Sequence, residues 1–141
     1  MSDHPPPVGN YEPFVRNGEL VAISAISSAR DGTMITGKIG RDLSFEDGCE
    51  AARRAAENLL AVLLEASEDD EAAIKQILMV RGQVNASDDF PHIHMVIDAA
   101  SELLIEQLGD RGRHARTAIG CSTLPNNNAV TLEALAIVAQ G

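Results

Sequence analysis

Aromatic side chains are nearly missing from this chain, with one Tyr, three Phe and no Trp among 141 residues. Ala, Val, Ile and Leu must therefore build the core, a set that suits helices laid closely on a sheet. Cysteine is scarce too. Cys49 and Cys121 give no disulfide framework and fit a reducing cytosol. Positive charge is in deficit, and a formal net charge of −10 argues against nucleic acid, whose phosphates need a basic surface. It favours a small-molecule or protein partner. No apolar run approaches the ~18 residues that span a bilayer, so no membrane partner is expected. The opening residues, MSDHPPPVGNYEP, lack the basic and apolar regions of a secretory signal, and a cytoplasmic location is the expectation. Metal-ligand spacing is absent as well. His92 and His94 are two apart, His114 is distant and neither cysteine has a partner at ligand spacing, so no metal site is expected.

What is present reads as one domain over residues 11–141, preceded by a loose Pro-rich leader at 1–10 pinned near Tyr11. Phe14-Val15-Arg16, Asn17-Gly18 and residues 19–24 form a hairpin pattern, the Asn-Gly pair matching a type I′ turn. Asp31-Gly32 is a further turn before a short strand at 34–36, and Gly37-Lys38-Ile39-Gly40 is a tight strand-to-helix connection without the Walker ending. Ser44 caps a long helix to about Ala66, with Asp47 three residues on. Phe45, Cys49, Ala52, Ala56, Leu59, Leu60, Leu63 and Leu64 make its apolar stripe. Cys49 is a core thiol on this pattern. Residues 74–84 hold a continuous apolar run that fits a strand covered on both faces. A second helix runs from near Pro91 to Gly109.

Residues 112–138, GRHARTAIGCSTLPNNNAVTLEALAIV, carry the best chemistry. Two extended runs flank Leu124-Pro125-Asn126-Asn127-Asn128, which predicts two antiparallel strands joined by a loop. Alternation puts Ala118, Gly120 and Ser122 on the face of Arg116, leaving room beside its guanidinium, a fork that fits a carboxylate or phosphate. A structural pair with an acid such as Glu133 is the competing reading. In the expected hairpin, Thr131 shares a face with Glu133 and lies near Arg116. The whole order predicts an α+β fold with two helices on one face of a mixed six-stranded sheet, and oligomerisation to cover the other face.

The block Gly112-Arg113-His114-Ala115-Arg116, Leu124-Pro125 and Glu133-Ala134 resembles the C-terminal signature of the Rid/YjgF family, the RidA-like reactive intermediate deaminases. Gly37-Lys38-Ile39-Gly40-Arg41-Asp42, Ala51-Ala52-Arg53, Asn58, Val84-Asn85, Asp89-Phe90 and Ser101-Glu102-Leu103-Leu104 are similar to a divergent subgroup of it. The resemblance spans about residues 11–138. It implies a chorismate-mutase-like, two-layer α+β fold and a homotrimer with a central barrel and three inter-subunit clefts. It also implies hydrolysis of 2-imino acids and their enamines to 2-keto acids and ammonia without a cofactor. On this resemblance Arg116 grips a substrate carboxylate, and Tyr11 and Ser24 line the cleft. Ala25-Ile26 replaces the Gly-Gln that follows the family serine, Asp98 replaces a second-helix Asn, and Thr131 replaces the glutamate that positions water. Thr131 and Asp98 are then the residues left to handle water. Two functions follow: an imine deaminase of altered or weak activity, or a non-catalytic trimer that binds a small carboxylate metabolite. The acidic surface and the lack of a His pair argue against a ribonuclease.

Overall fold

The computed structural model describes residues 4–140. Helix α1 (Phe45–Ala66) starts at the expected cap. Ser44 Oγ accepts from the Asp47 amide and the Asp47 carboxylate accepts from the Ser44 amide, both at 3.1 Å. This capping box satisfies two otherwise orphan donors. Ala52, Ala56, Leu59 and Leu63 of the predicted stripe are fully buried with Ala51, Ala55 and Val62. Cys49 is half-buried, and burial pushes its thiol pKa up, the behaviour of a core thiol. Glu50 pairs with Arg53 and Arg54 on the solvated side.

The sheet has five strands, not six: β1 (Phe14–Asn17), β2 (Leu20–Ser27), β3 (Ile74–Asn85), β4 (Ala115–Cys121) and β5 (Val130–Val138). The missing strand is residues 34–36. There the chain makes only an isolated bridge, Thr36 to Asn128. Left-handed backbone at Asp31 and Gly32 on one side and Gly37 on the other leaves too few extended residues to build a ladder. The first hairpin forms, but its turn pair is Gly18-Glu19, since β1 still includes Asn17 and Asn17 pairs with Leu20. Gly18 has φ +64° and Glu19 is not left-handed, which fits a glycine-first II′ turn in place of the expected I′.

Strand order is β1-β2-β5-β3-β4. The expected β4–β5 hairpin is overturned: β3 lies between them, antiparallel to β5 and parallel to β4. A parallel partner requires a crossover, and helix α2 (Ile93–Leu108) supplies it between β3 and β4. The turn chemistry of residues 124–128 is real, with Asn126 and Asn127 both at φ 56°. It carries the chain past the end of β3 instead of folding β4 back on its neighbour.

Both helices pack on one face, α1 against β2 and β5 and α2 against β3 and β4. On β3 only the helix-facing side is buried: Ile77, Val80 and Val84 are covered, while Leu78 is exposed. Register links Val15, Ala22, Leu135, Met79 and Ala115 across the other face. Val15 and Ile119 on that face are 61% and 49% exposed, an uncovered apolar surface. Of the leader, residues 1–3 lie outside the described residues, while His4 bonds Glu65 of α1 at 3.1 Å. Arg16 donates to the carbonyls of Ala66, Val138 and Ala139 at 2.8–3.0 Å, tying the ends of α1 and β5 to β1. No helix among the described residues is long and apolar enough to cross a membrane.

Gly82 sets the separation of α2 from the sheet. A Cβ there would sit 2.6–2.9 Å from three side-chain atoms of the buried Ile97. Gly82→Ala should therefore cost about 1–3 kcal/mol through overpacking, read as a lowered urea midpoint. An unchanged midpoint would show that α2 has slack over β3.

Candidate functional site

The predicted site residues fall into two groups that do not meet within the chain. Tyr11, Ser24, Ala25, Ile26 and Thr131 line one cavity, of about 170 Å³, beside β2 and β5. Pro5, Pro6, Pro7, Val8 and Met34 complete its apolar wall. Ser24 Oγ donates to the Glu12 carbonyl at 2.6 Å, and the Val8 amide donates to the Tyr11 hydroxyl at 3.3 Å. Thr131 is buried, and its hydroxyl donates to Gln83 Oε1 at 2.8 Å. The same cavity is bordered by Asn128, whose buried Oδ1 has no donor among the described residues, an unmet acceptor.

Arg116 and Asp98 form the other group. Arg116 sits on β4, the edge strand, with its side chain on the helix side of the sheet. Its Nη1 donates to Asp98 Oδ1 at 2.7 Å and to Ser101 Oγ at 3.2 Å, and Nη2 donates to the His94 carbonyl at 3.3 Å. Asp98 and Ser101 are three apart on α2, so both face β4. Five N–H groups belong to a guanidinium. Three are engaged here, leaving Nε and one Nη2 hydrogen without an acceptor among the described residues. Two free donors are the number a carboxylate takes. The competing reading, a pair with an acid, is met in kind: the acid is Asp98 and not Glu133, which faces Arg81 at 3.4 Å. Thr131 and Arg116 are not brought together within one chain: Thr131 pairs with Gln83 in register, and Gln83 with Ile119, on the face opposite Arg116.

The structure adds two residues that the sequence reading passed over. His114 Nε2 lies 2.9 Å from Ser101 Oγ, and its Nδ1 lies 2.6 Å from the Gly112 carbonyl. Burial holds the His114 pKa below its ordinary value, opposed by the Gly112 carbonyl and aided by the positive charge of Arg116. Two signals pointed this way: His114 and Arg116 are two apart entering a strand, and Asp98 and Ser101 are three apart on a helix. Neither could reveal that the two pairs meet. His92 is placed elsewhere, edge-on to Phe45 and Phe90. Among the described residues no three His, Cys, Asp or Glu side chains cluster closely enough to hold a metal ion.

A family model described as YjgF/chorismate mutase-like, with a provisional endoribonuclease label, matches residues 3–138. The protein TCP17 of Trypanosoma cruzi is 32% identical over 131 residues, covering 92% of this chain and 81% of the relative. The crystal structure of protein Atu1372 of Agrobacterium tumefaciens is 34% identical with a TM-score of 0.91, covering 96% of this chain and 87% of that one. E. coli TdcF, solved with bound serine, shares the fold at 19% identity with a TM-score of 0.71, covering 99% of this chain and 96% of that one.

The depressed His114 pKa has a consequence for stability. The unfolded state takes up the proton first, at a pKa of about 6.5, so the contribution is complete above that pH and is lost as pH falls through the lower folded value. The parent should therefore lose stability faster than His114→Gln between about pH 7 and pH 5, as measured by urea unfolding. Parallel curves would mean that His114 is not buried as a neutral ring.

Proposed function

The chain belongs to the YjgF/chorismate mutase-like family, and on that footing we propose that it forms a homotrimer whose inter-subunit clefts bind small carboxylates and hydrolyse 2-imino acids to 2-keto acids and ammonia. The observation that carries this reading is Arg116: three of its donors are tied to α2 while two remain open to a carboxylate. The group is oriented before any ligand arrives, which lowers the ordering cost of binding. The Tyr11–Ser24–Thr131 cavity beside β2 and β5 supplies the second half when a neighbouring copy places it against the Arg116 edge. Burying the apolar outer face drives the association. Tyr11, Ala25 and Ile26 shape the cleft around the substrate's side chain, and Ser24 supplies a hydroxyl. Asp98 and Thr131 hold the attacking water by hydrogen bonds. The serine in the TdcF structure carries a carboxylate of the kind proposed here.

One observation favours a second reading, a trimer that binds carboxylates without turning them over. The Thr131 hydroxyl already donates to Gln83, and threonine is a poor base near neutrality. Turnover of freshly generated 2-imino acids, followed as ammonia release, decides between the two.

Light scattering at micromolar concentration should give three chain masses, and a clean monomer would sink the cleft. Calorimetry with a 2-keto acid should show Arg116→Ala folded but binding about 10- to 100-fold more weakly, the loss of charged hydrogen bonds worth ~1.5–3 kcal/mol. Arg116→Lys should recover part of this, because a point charge replaces a fork. Unfolding of Arg116→Ala would instead make the arginine structural. If the missing glutamate limits the reaction, Thr131→Glu should raise imine hydrolysis within the ~10²–10⁴-fold range of general-base assistance. Equal rates in the parent, Thr131→Glu and Thr131→Val would remove residue 131 from the reacting shell.

A further inference from the structure

Resting on the cleft reading, with the ligand's carboxylate on Arg116 and its side chain in the cavity beside β2 and β5, we propose that residues 5–8 form a strap over that cavity and set which side chains it admits. Pro5, Pro6, Pro7 and Val8 line the 170 Å³ cavity together with Ile26 and Met34. The same segment borders a wider, open groove of about 850 Å³ that reaches Arg30, Asp31 and Gly32. Pro5, Pro6, Val8 and Met34 are walls of both hollows. The segment therefore has space beside it into which it can yield. Its attachments are at its ends. The His4 side chain, 6% exposed, reaches Glu65 Oε1 of α1 at 3.1 Å and the Pro5 carbonyl at 3.0 Å. At the far end the Val8 amide donates to the Tyr11 hydroxyl at 3.3 Å. Between these points three prolines have no N–H to give, and no hydrogen bond joins Pro6 or Pro7 to another described residue. Consecutive prolines are semi-rigid, so the strap moves as a unit.

The cavity beneath it selects by charge and by size. No charged side chain among the described residues lines it, although the chain is strongly acidic. Ser24 and Thr131 spend their hydroxyl hydrogens on the Glu12 carbonyl and on Gln83. A charged group placed here would lose its hydration and meet no opposite charge. An uncharged aliphatic group meets the reverse. Val8, Tyr11 and Met34 are 72%, 44% and 43% exposed, so the cavity has apolar surface left for a guest to cover. Volume sets the limit. A protein cavity of ~150 Å³ holds benzene, so this one takes side chains of about six carbons with the strap in place. A longer chain must push the strap towards the groove, against its ties at His4 and Tyr11. Residues 5–8 act on which ligand enters and touch no reacting atom.

Calorimetry of the full chain with straight-chain 2-keto acids, from pyruvate to 2-oxodecanoate, tests the strap. In the parent each added methylene should tighten binding about fourfold until the cavity is full, at a side chain of about six carbons, and the gain should then stop. 2-Oxoglutarate, which carries a second carboxylate where 2-oxopentanoate carries a methyl, should bind about tenfold more weakly than it, or worse. His4→Ala releases the leading end of the strap, and Val8→Ala thins its wall. Both should flatten the gain per methylene and move the cut-off to longer chains. His4 does not line the cavity, so His4→Ala should bind pyruvate as the parent does. A length profile unchanged in both variants would overturn the strap, while parent binding of pyruvate would keep the carboxylate cleft. Equal affinity for 2-oxoglutarate and 2-oxopentanoate would overturn the selection by charge. No binding of any 2-keto acid by the parent would overturn the cleft reading, and the strap with it. The ¹³C methyl signals of Val8 should shift on saturation with 2-oxooctanoate and stay in place with pyruvate. No shift with 2-oxooctanoate would put the side chain elsewhere and end the proposal.

Discussion

Arginine has no acceptor atom, and that one-way chemistry orders the polar region where α2 meets β4. Arg116 must donate, so Asp98, Ser101 and the His94 carbonyl must accept. Once Ser101 accepts, its own hydrogen is directed at His114, whose other nitrogen is then committed to Gly112. A set of side chains from a helix, a strand and a one-turn connection thus has one self-consistent arrangement of protons. Geometry follows from this too. With two donors of Nη1 held by residues three apart on one helix, the guanidinium plane is defined relative to α2.

That arrangement depends on layers that meet without slack. Gly82 lets Ile97 rest directly on β3, one position before Asp98 in the chain. Alanines along α1 bring the other helix close to β2 and β5. With so few aromatics, close approach of small side chains does the work that large rings do elsewhere.

Most of the fold was legible in the sequence because its signals are local. A capping box, a stripe at helical spacing, the Gly109 stop and the extended runs each act within a few residues, and both helices and five of the six expected strands formed. The errors came from partners chosen at long range. Residues 124–128 have hairpin chemistry, yet a turn does not say which strand lies alongside, and β3 took the place that proximity in sequence suggested for β5. Residues 34–36 look like a strand but have no neighbour to form a ladder with. The site shows the same division. Alternation could single out Arg116 and the small residues on its face, whereas the Asp98 bond and the His114–Ser101 contact exist only because the crossover lays α2 on β4. Thr131 and Arg116, drawn together by the expected hairpin, are separated by a strand and by the thickness of the sheet.

Arg116 belongs to a strand with a single neighbour. The outer edge of β4 has no neighbouring strand among the described residues and so presents backbone groups open to pairing, as any edge strand does. Whatever lies along that edge lies beside the strand that carries the guanidinium, so the pairing edge and the surroundings of Arg116 share one stretch of backbone. In evolutionary terms the two are not free to drift apart: a change that alters the backbone edge of residues 115–121 also alters the surroundings of Arg116.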